Sequence, residues 1–123
     1  MQSKMEIVKA VMHASVRGDD KTFLDYLTDD IVYHYHVGSR PLEGKQWIQK
    51  FLNRYREITR DVNWRIDRHA ETETELFVEG YEEYFDTRTN EVIAHPYMGI
   101  FEFRDGKIAA WRDYFEMNNP KHD

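Results

Sequence analysis

Residues 99–117 read GIFEFRDGKIAAWRDYFEM and contain the clearest fold signal in the chain. Two runs with a period of two flank a central Asp-Gly pair, which is typical of a tight turn between antiparallel strands. In the second run, this period places Asp113 on one strand face with Trp111, Phe115 and Met117. A carboxyl group among such side chains loses hydration, which raises its pKa and suits it to proton transfer. The alternatives are a half-exposed strand face, or a structural acid paired with an arginine.

Helical periodicity dominates the first part of the chain. Apolar residues at helical spacing, with Ser3 and Glu6 as a capping box, predict a first helix over residues 4–17. A short second helix is expected after Gly18, and its pattern predicts an end near residues 28–30. The chain therefore begins with two amphipathic helices.

A third helix is predicted after RPLEG, residues 40–44, and strands follow it. Its broad apolar stripe consists of Trp47, Ile48, Phe51, Leu52, Tyr55 and Ile58. From Asp61 onward, polar turn sequences separate four strand-like segments, VNWRIDRHA, ELFVEGYEEYF, VIAHPYMGIFEF and KIAAWRDYFEM. Helices followed by antiparallel strands predict an α+β fold in which the helices cover one side of a curved sheet. Inward side chains of such a sheet would converge in the mouth of a cone.

Length, charge and composition exclude several classes of function. The 123 residues suit one compact domain, so we predict a single domain over residues 1–123. The net charge is −6 without a basic stripe, which argues against nucleic acid and anionic membranes as partners. The chain contains no cysteine, so disulfides, thiolate metal sites and thiol catalysis are excluded. Charged residues interrupt the N-terminal apolar positions, unlike in a signal peptide or a membrane span. We expect a cytoplasmic protein.

The segment VYHYHV, residues 32–37, allows two opposite interpretations. If Tyr33 and Tyr35 face inward, their hydroxyls can bind a substrate oxygen or position a water molecule. If His34 and His36 face inward instead, the pair could bind a metal together with a carboxylate. Two ligands alone do not make a metal site, so this second interpretation is the weaker one.

Two later strands carry further candidates. In VEGYEEYF, a period of two cannot decide whether Glu82 or Glu83 faces inward. In VIAHPYMGIFEF, His95 and Tyr97 share one face, while the other face is apolar as well. This strand is therefore expected to be covered on both sides, by the interior and by a helix or a second subunit. Pro96 indicates a bulge or a sheet edge nearby, because proline lacks the N–H that a ladder needs.

The hairpin at residues 99–117 and the segment DDIVYHYHVGSRPLEG, residues 29–44, resemble one branch of the nuclear-transport-factor-2-like superfamily. This is the branch of SnoaL-like polyketide cyclases and limonene epoxide hydrolases. The resemblance covers nearly the whole chain and implies a cone-shaped, curved antiparallel sheet wrapped around three N-terminal helices. It also implies a homodimer with one pocket in each subunit. It does not imply one reaction, because related folds host isomerases, cyclases, hydrolases and inactive proteins.

The resemblance also implies roles for individual residues. In the epoxide hydrolases, the position of Asp113 holds the aspartate that activates water, and a tyrosine at the position of Tyr33 helps to hold that water. Tyr35 stands where these enzymes have asparagine. Their second acid corresponds to Glu82, but their arginine falls at Gly80 and is therefore missing here. Without that guanidinium the two carboxylates lose a common orienting partner, so the known epoxide hydrolase triad is not complete.

The same comparison favours one register for the strands. It turns Tyr33, Tyr35 and Glu82 inward and leaves His34 and His36 mainly outward. It also turns His95 and Tyr97 into the pocket. The expected substrate-binding residues are Tyr33, Tyr35, His95, Tyr97, Trp111 and Phe115.

Together these features predict an acid/base enzyme acting on a small, largely apolar organic molecule, with Asp113 and Glu82 as catalytic residues. No cofactor and no metal are expected, and the partners are a small ligand and a second copy of the chain. Isomerisation, ring closure and water addition all suit this set of residues. The alternative is a non-catalytic ligand-binding or dimerisation module in which Asp113 is a structural acid bonded to a tyrosine.

Overall fold

The structure is a computed structural model that describes residues 2–116. Its helices are α1 (Lys4–Arg17), α2 (Asp20–Asp25) and α3 (Lys45–Ile58). Its strands are β1 (Leu27–His34), β2 (Leu42–Glu43), β3 (Thr59–Glu71), β4 (Glu75–Asp86), β5 (Glu91–Arg104) and β6 (Lys107–Tyr114). This order confirms the predicted α+β class. In residues 2–116, none of the helices is long and apolar enough to cross a membrane.

Helix α1 has the predicted bounds because both of its ends carry strong local signals. The Ser3 hydroxyl accepts a hydrogen bond from the Glu6 backbone N–H, and the Glu6 carboxylate accepts one from the Ser3 backbone N–H. This reciprocal pair is the predicted capping box. At the other end, Gly18 adopts φ 75°, and its N–H caps the carbonyls of the last turn.

The predicted end of the second helix near residues 28–30 is wrong. Helix α2 ends at Asp25, and β1 begins at Leu27. A helix of this length has few internal hydrogen bonds and is only marginally stable on its own, so contacts with the rest of the fold decide where it ends. Pairing in the sheet stabilises this segment more than another helical turn would, because Leu27 pairs with Ile108 of β6 and both side chains are fully buried.

The six strands form one curved sheet in the order β2-β1-β6-β5-β4-β3. The pairing of β1 with β6 is parallel, and every other pairing is antiparallel. The parallel pair departs from the purely antiparallel sheet that was predicted. It is possible because α3 and four strands lie between β1 and β6 in the chain, which is ample for a crossover.

The inward face of the sheet packs against the helices and forms the core. Its fully buried members include Val8, Val11, Leu27, Ile31, Ile48, Leu76, Val78, Phe101 and Ile108. Helices α1 and α3 therefore bury their apolar stripes against the long strands, as their periodicity predicts. This packing leaves a space between α3 and the sheet.

The outward face of β5 and β6 carries exposed apolar side chains beside the Arg112–Glu102 ion pair. Val92, Met98 and Tyr114 are 61%, 49% and 42% exposed, and Met98 lies directly opposite Tyr114 across the strand pair. Pro96 lies on the same face, and β6 pairs with β5 only from Met98 onward. The proline therefore lies where this side of β5 has no strand partner within residues 2–116, as its missing N–H requires.

We predict that this outward face joins two copies of the chain, because neighbouring apolar side chains gain free energy when they leave water. The Met98→Glu variant should convert a dimer into a monomer at micromolar concentration, because a buried carboxylate at the interface is costly. Light scattering after size-exclusion chromatography would measure the mass. Val16→Glu, at an exposed apolar residue of α1, is the matched control and should remain dimeric. A wild-type monomer would contradict the prediction.

Candidate functional site

A cavity of about 500 Å³ opens between α3 and the inward face of the sheet. Aromatic rings form much of its wall, namely those of Tyr33, Tyr35, Phe51, Trp111 and Phe115. The rings pack against one another, with Tyr33 at 4.3 Å from Trp111 and 5.6 Å from Phe51 between ring centroids. Glu82 and Asp113 reach the same cavity. Four of the six predicted substrate-binding residues and both predicted catalytic residues thus line one space.

Asp113 is held by two hydrogen bonds inside this aromatic wall. Trp111 Nε1 donates to Asp113 Oδ1 over 3.0 Å, and the Tyr33 hydroxyl donates to Asp113 Oδ2 over 3.3 Å. The carboxyl group has room because Gly99 lies opposite it on β5, where a Cβ atom would approach Oδ1 to 3.2 Å. The glycine and the two donors therefore fix the carboxyl group in one position.

Burial, and to a smaller extent the nearby charge of Glu82, raises the pKa of Asp113 to about 8. The hydrogen bonds from Trp111 and Tyr33 act in the opposite direction, because they favour the charged form. Burial also raises the pKa of the Tyr33 hydroxyl well above its usual range, so it remains a proton donor toward Asp113. Desolvation is the dominant effect, as predicted for an acid between a tryptophan and a phenylalanine.

Glu82 faces inward and Glu83 faces solvent, which settles the register of β4. The Tyr55 hydroxyl donates to Glu82 Oε2 over 3.1 Å, and His95 Nε2 lies 3.4 Å from Glu82 Oε1. Burial raises the pKa of Glu82 to about 7, although the hydrogen bond from Tyr55 lowers it. The sheet thus carries two buried acids, each with a raised pKa, on one wall.

His95 and Tyr97 face inward but lie behind the cavity wall, so they do not contact its open space. His95 stacks on Phe115 at 4.5 Å, and its Nδ1 lies 3.1 Å from the carbonyl oxygen of Pro96. If Nδ1 donates there, the neutral ring presents the lone pair of Nε2 to Glu82. Tyr97 packs edge-on against Trp64. Both residues therefore support the wall, which corrects their predicted placement in the pocket.

His36 also departs from its predicted orientation, because it lines the cavity although the register of β1 turns it outward. Strand β1 ends at His34, so the alternation of side chains is not maintained beyond that residue. His36 Nε2 lies 3.1 Å from the carbonyl oxygen of Phe115, and the two rings stack at 4.5 Å. His34 does not line the cavity, so the two histidines do not face a common point there.

Gly80 explains why the epoxide hydrolase arginine has no counterpart. A Cβ atom at this position would lie 1.8 Å from the Arg65 carbonyl oxygen. The β3–β4 register shifts between Ile66 and Arg68, and the backbone of β3 approaches β4 closely there. The Tyr97 hydroxyl donates to this same Arg65 carbonyl over 3.4 Å. The β3 backbone thus fills the space that a side chain at position 80 would need.

Two site residues were not predicted from the sequence. Tyr55 belongs to the apolar stripe of α3, and nothing in that stripe indicates that its hydroxyl reaches Glu82. Trp64 lines the cavity next to Glu82, its partner across β3 and β4, and its buried Nε1 has no hydrogen-bond partner among residues 2–116. The sequence would have indicated Trp64 only if the register between β3 and β4 had been known, because that register places Trp64 beside Glu82.

The metal alternative requires at least three convergent ligands. In residues 2–116, the structure contains no group of three His, Asp or Glu side chains that could hold a metal ion. The described residues do not supply the third ligand that the two histidines would need.

Comparisons with known proteins support this architecture. A family model described as the SnoaL-like domain matches residues 8–111. No curated protein gives a significant match. An LEH-like epoxide hydrolase of M. tuberculosis is 26% identical, with a TM-score of 0.77 over 89% of this chain and 80% of that chain.

Two further solved structures share the fold at lower identity. A proposed polyketide cyclase of Xanthomonas campestris pv. campestris is 20% identical, with a TM-score of 0.81 over 91% of this chain and 89% of that chain. An NTF2-like protein of Burkholderia pseudomallei K96243 is 16% identical, with a TM-score of 0.84 over 95% of this chain and 93% of that chain. These similarities confirm the predicted fold.

The two buried acids predict a specific dependence of stability on pH. Their folded-state pKa values, about 8 for Asp113 and about 7 for Glu82, exceed their ordinary values of 3.8 and 4.5. Their contribution to the free energy of unfolding is therefore fully present below these ordinary pKa values and is lost as pH rises through about 8. Removing either ionisation should stabilise the protein at high pH, on the order of a few kcal/mol for Asp113→Asn.

Urea unfolding at about pH 5.5 and about pH 8.5 would measure this effect as the difference between each variant and wild type. The advantage of Asp113→Asn and Glu82→Gln should grow with pH. Glu83→Gln, at the exposed neighbour, is the control and should follow wild type. Variants whose difference from wild type does not change with pH would contradict the prediction.

Proposed function

The chain belongs to the SnoaL-like domain family, and we propose that it is an acid/base enzyme acting on a small, largely apolar organic molecule in the cavity. The observation that carries this proposal is the pair of buried acids on one aromatic wall. Asp113 and Glu82 are 4% and 6% exposed, and the pKa of each is raised into the range where acids and bases are effective. Carboxyl groups that were fully hydrated would both be ionised at neutral pH.

The two acids can divide acid and base roles without further groups. Because each charge opposes the other, the pair holds one proton between about pH 7 and about pH 8. The higher pKa of Asp113 places this proton mainly on Asp113 in the free protein. We assign the base role to the minor form in which Asp113 is ionised and Glu82 is protonated, because two donors hold the Asp113 carboxylate in one position, whereas Glu82 receives one. His95 Nε2 has no hydrogen-bond partner among residues 2–116 and lies 3.4 Å from Glu82 Oε1, so a hydrogen bond donated by protonated Glu82 to this nitrogen would stabilise the neutral form of the acid. Turnover uses the fraction of the one-proton state in which Asp113 is ionised.

In this arrangement Asp113 removes a proton from carbon or from water, and Glu82 donates its proton to a substrate oxygen. Isomerisation and ring closure require removal of a proton from carbon, and water addition requires removal of a proton from water. The aromatic wall excludes water around the reacting atoms and strengthens these interactions. The absence of a side chain at Gly80 argues against the epoxide hydrolase triad in its known form.

A second candidate is a binding module without chemistry. It is favoured by one observation, namely that both oxygens of Asp113 already accept hydrogen bonds from Trp111 and Tyr33. A structural acid in an aromatic core would show the same contacts. The activity of site variants distinguishes the two functions.

We predict that Asp113→Asn lowers turnover by about 10²–10⁴-fold, the usual contribution of a positioned acid or base. The assay incubates a terpene epoxide, a β,γ-unsaturated keto steroid and an aromatic β-keto ester in deuterated, ¹⁸O-enriched water. Mass spectrometry then separates deuterium gained at carbon from ¹⁸O gained by water addition. Glu82→Gln should lose activity as well, and Glu83→Gln should retain it. An active Asp113→Asn variant, or no turnover by wild type, would favour the binding module.

The pH profile of kcat/KM should be bell-shaped. Activity should fall below about pH 7, where both acids are protonated, and above about pH 8, where both are ionised. Initial rates measured from about pH 5 to about pH 10 at constant ionic strength would define both limbs. In Glu82→Gln the alkaline limb should disappear, because the remaining base titrates alone. A profile that is flat across this range would contradict the assignment.

A further inference from the structure

The charged side chains at the cavity mouth are positive, whereas the net charge of the chain is negative. The net charge is −6, yet the lining residues outside the acid pair that carry charge are Lys50, Arg54 and Arg88, all cationic. Lys50 and Arg54 lie four residues apart on α3, where like charges repel across one helical turn. The helix thus keeps an unfavourable pair at the entrance to the cavity.

These cations differ in how well carboxylates offset them. Arg88 donates two hydrogen bonds from its side chain to Asp86 and is therefore paired. Arg54 lies 3.5 Å from Glu57, but both side chains are more than half exposed, so the pair is weak. Lys50 has no carboxylate partner among residues 2–116, and its ammonium lies 4.5 Å from the centre of the Trp47 ring. Free positive charge is thus concentrated at Lys50 and Arg54.

The same face of α3 joins this charge to the aromatic chamber. Phe51 and Tyr55 alternate with the two cations along the helix, and all four line the cavity. Trp47, which is 53% exposed, extends the aromatic surface out to the solvent. A ligand in contact with this helix would therefore meet rings at depth and cations at the mouth.

We propose that the cavity takes an amphipathic organic anion, whose rings lie against Phe51 and the sheet and whose acidic group pairs with Lys50 and Arg54. This rests on the proposed function in that it assigns the substrate class of the same cavity. The acidic group is a carboxylate, sulfonate or phosphate, since these groups accept hydrogen bonds from ammonium and guanidinium donors. The charged end remains hydrated at the mouth, and the reacting part of the molecule lies deeper, beside the acids.

A matched pair of fluorescent probes tests this inference. Anilinonaphthalene sulfonate and N-phenylnaphthylamine share one ring system and differ in the sulfonate. Wild type should bind the sulfonate about tenfold more tightly, one to one, at about pH 6, where Glu82 and Asp113 are mainly protonated. The two probes should displace each other, because they share the chamber.

Removal of the cations should remove most of the preference. In the double variant Lys50→Met, Arg54→Met, affinity for the sulfonate should fall about fivefold, and affinity for the neutral probe should change by less than about twofold. The control variant Lys45→Met, Arg56→Met removes two cations from the same helix outside the cavity lining. It should keep the wild-type ratio. High salt should weaken sulfonate binding to wild type and to the control.

Three results would overturn the inference. They are equal affinity of wild type for both probes, an equal loss in the control variant, and no one-to-one binding of either probe. Because the readout is binding, the result does not depend on turnover. If Asp113→Asn and wild type are both inactive while the probe preference holds, the proposed function fails and the anion site remains. If turnover requires Asp113 but both probes bind equally, the substrate class is wrong and the enzyme assignment remains.

Discussion

Two carboxyl groups lie out of water on one wall of the cavity, and much of the site serves to make this possible. Burial of an ionised carboxylate is costly unless donors replace its hydration. Trp111 and Tyr33 supply two donors to Asp113, and Tyr55 supplies one to Glu82. Because the donors are fewer than water would offer, both acids retain protons at unusually high pH. Loss of one of these hydrogen bonds would therefore raise the pKa of the acid that accepts it.

The Asp113 environment was predictable because it is local in sequence. Trp111 and Phe115 lie two residues away on either side, so the period of a strand is enough to place them beside the carboxyl group. The same rule could not decide whether Glu82 faces inward, since Glu83 fits the pattern equally well. Only the register of the packed sheet separates the two residues. Tyr55 was missed because its hydroxyl acts across 27 residues of sequence, from a helix to a strand. Helical periodicity predicts which face is buried but not what a polar atom on that face contacts.

The remaining differences from the sequence-based predictions arise where regular structure ends or is distorted. His36 lies two residues beyond the end of β1, so the alternation of side chains that predicted an outward orientation does not apply to it. The second helix stops early because its final residues gain more from pairing with β6 than from another helical turn. In the sequence, Gly80 lies at the position of the epoxide hydrolase arginine. In the fold, β3 and β4 approach each other so closely at Gly80 that no side chain fits. Each case depends on contacts between segments that are distant in the chain.

The close approach at Gly80 has a consequence for how the two acids are oriented. In the related hydrolases a guanidinium in this region would attract both carboxylates and lower the pKa of each. Here a backbone carbonyl occupies that space, and neutral donors orient the acids instead. Neutral donors stabilise a carboxylate less than a cation does, so the pKa values of the two acids, about 7 and about 8, lie near neutral pH. The cationic side chains stand at the mouth of the cavity, where solvent screens them and where they can attract a ligand without holding the acids ionised. This separation of charge between floor and mouth is compatible with the proposed anion site and with a protonated acid in the same cavity.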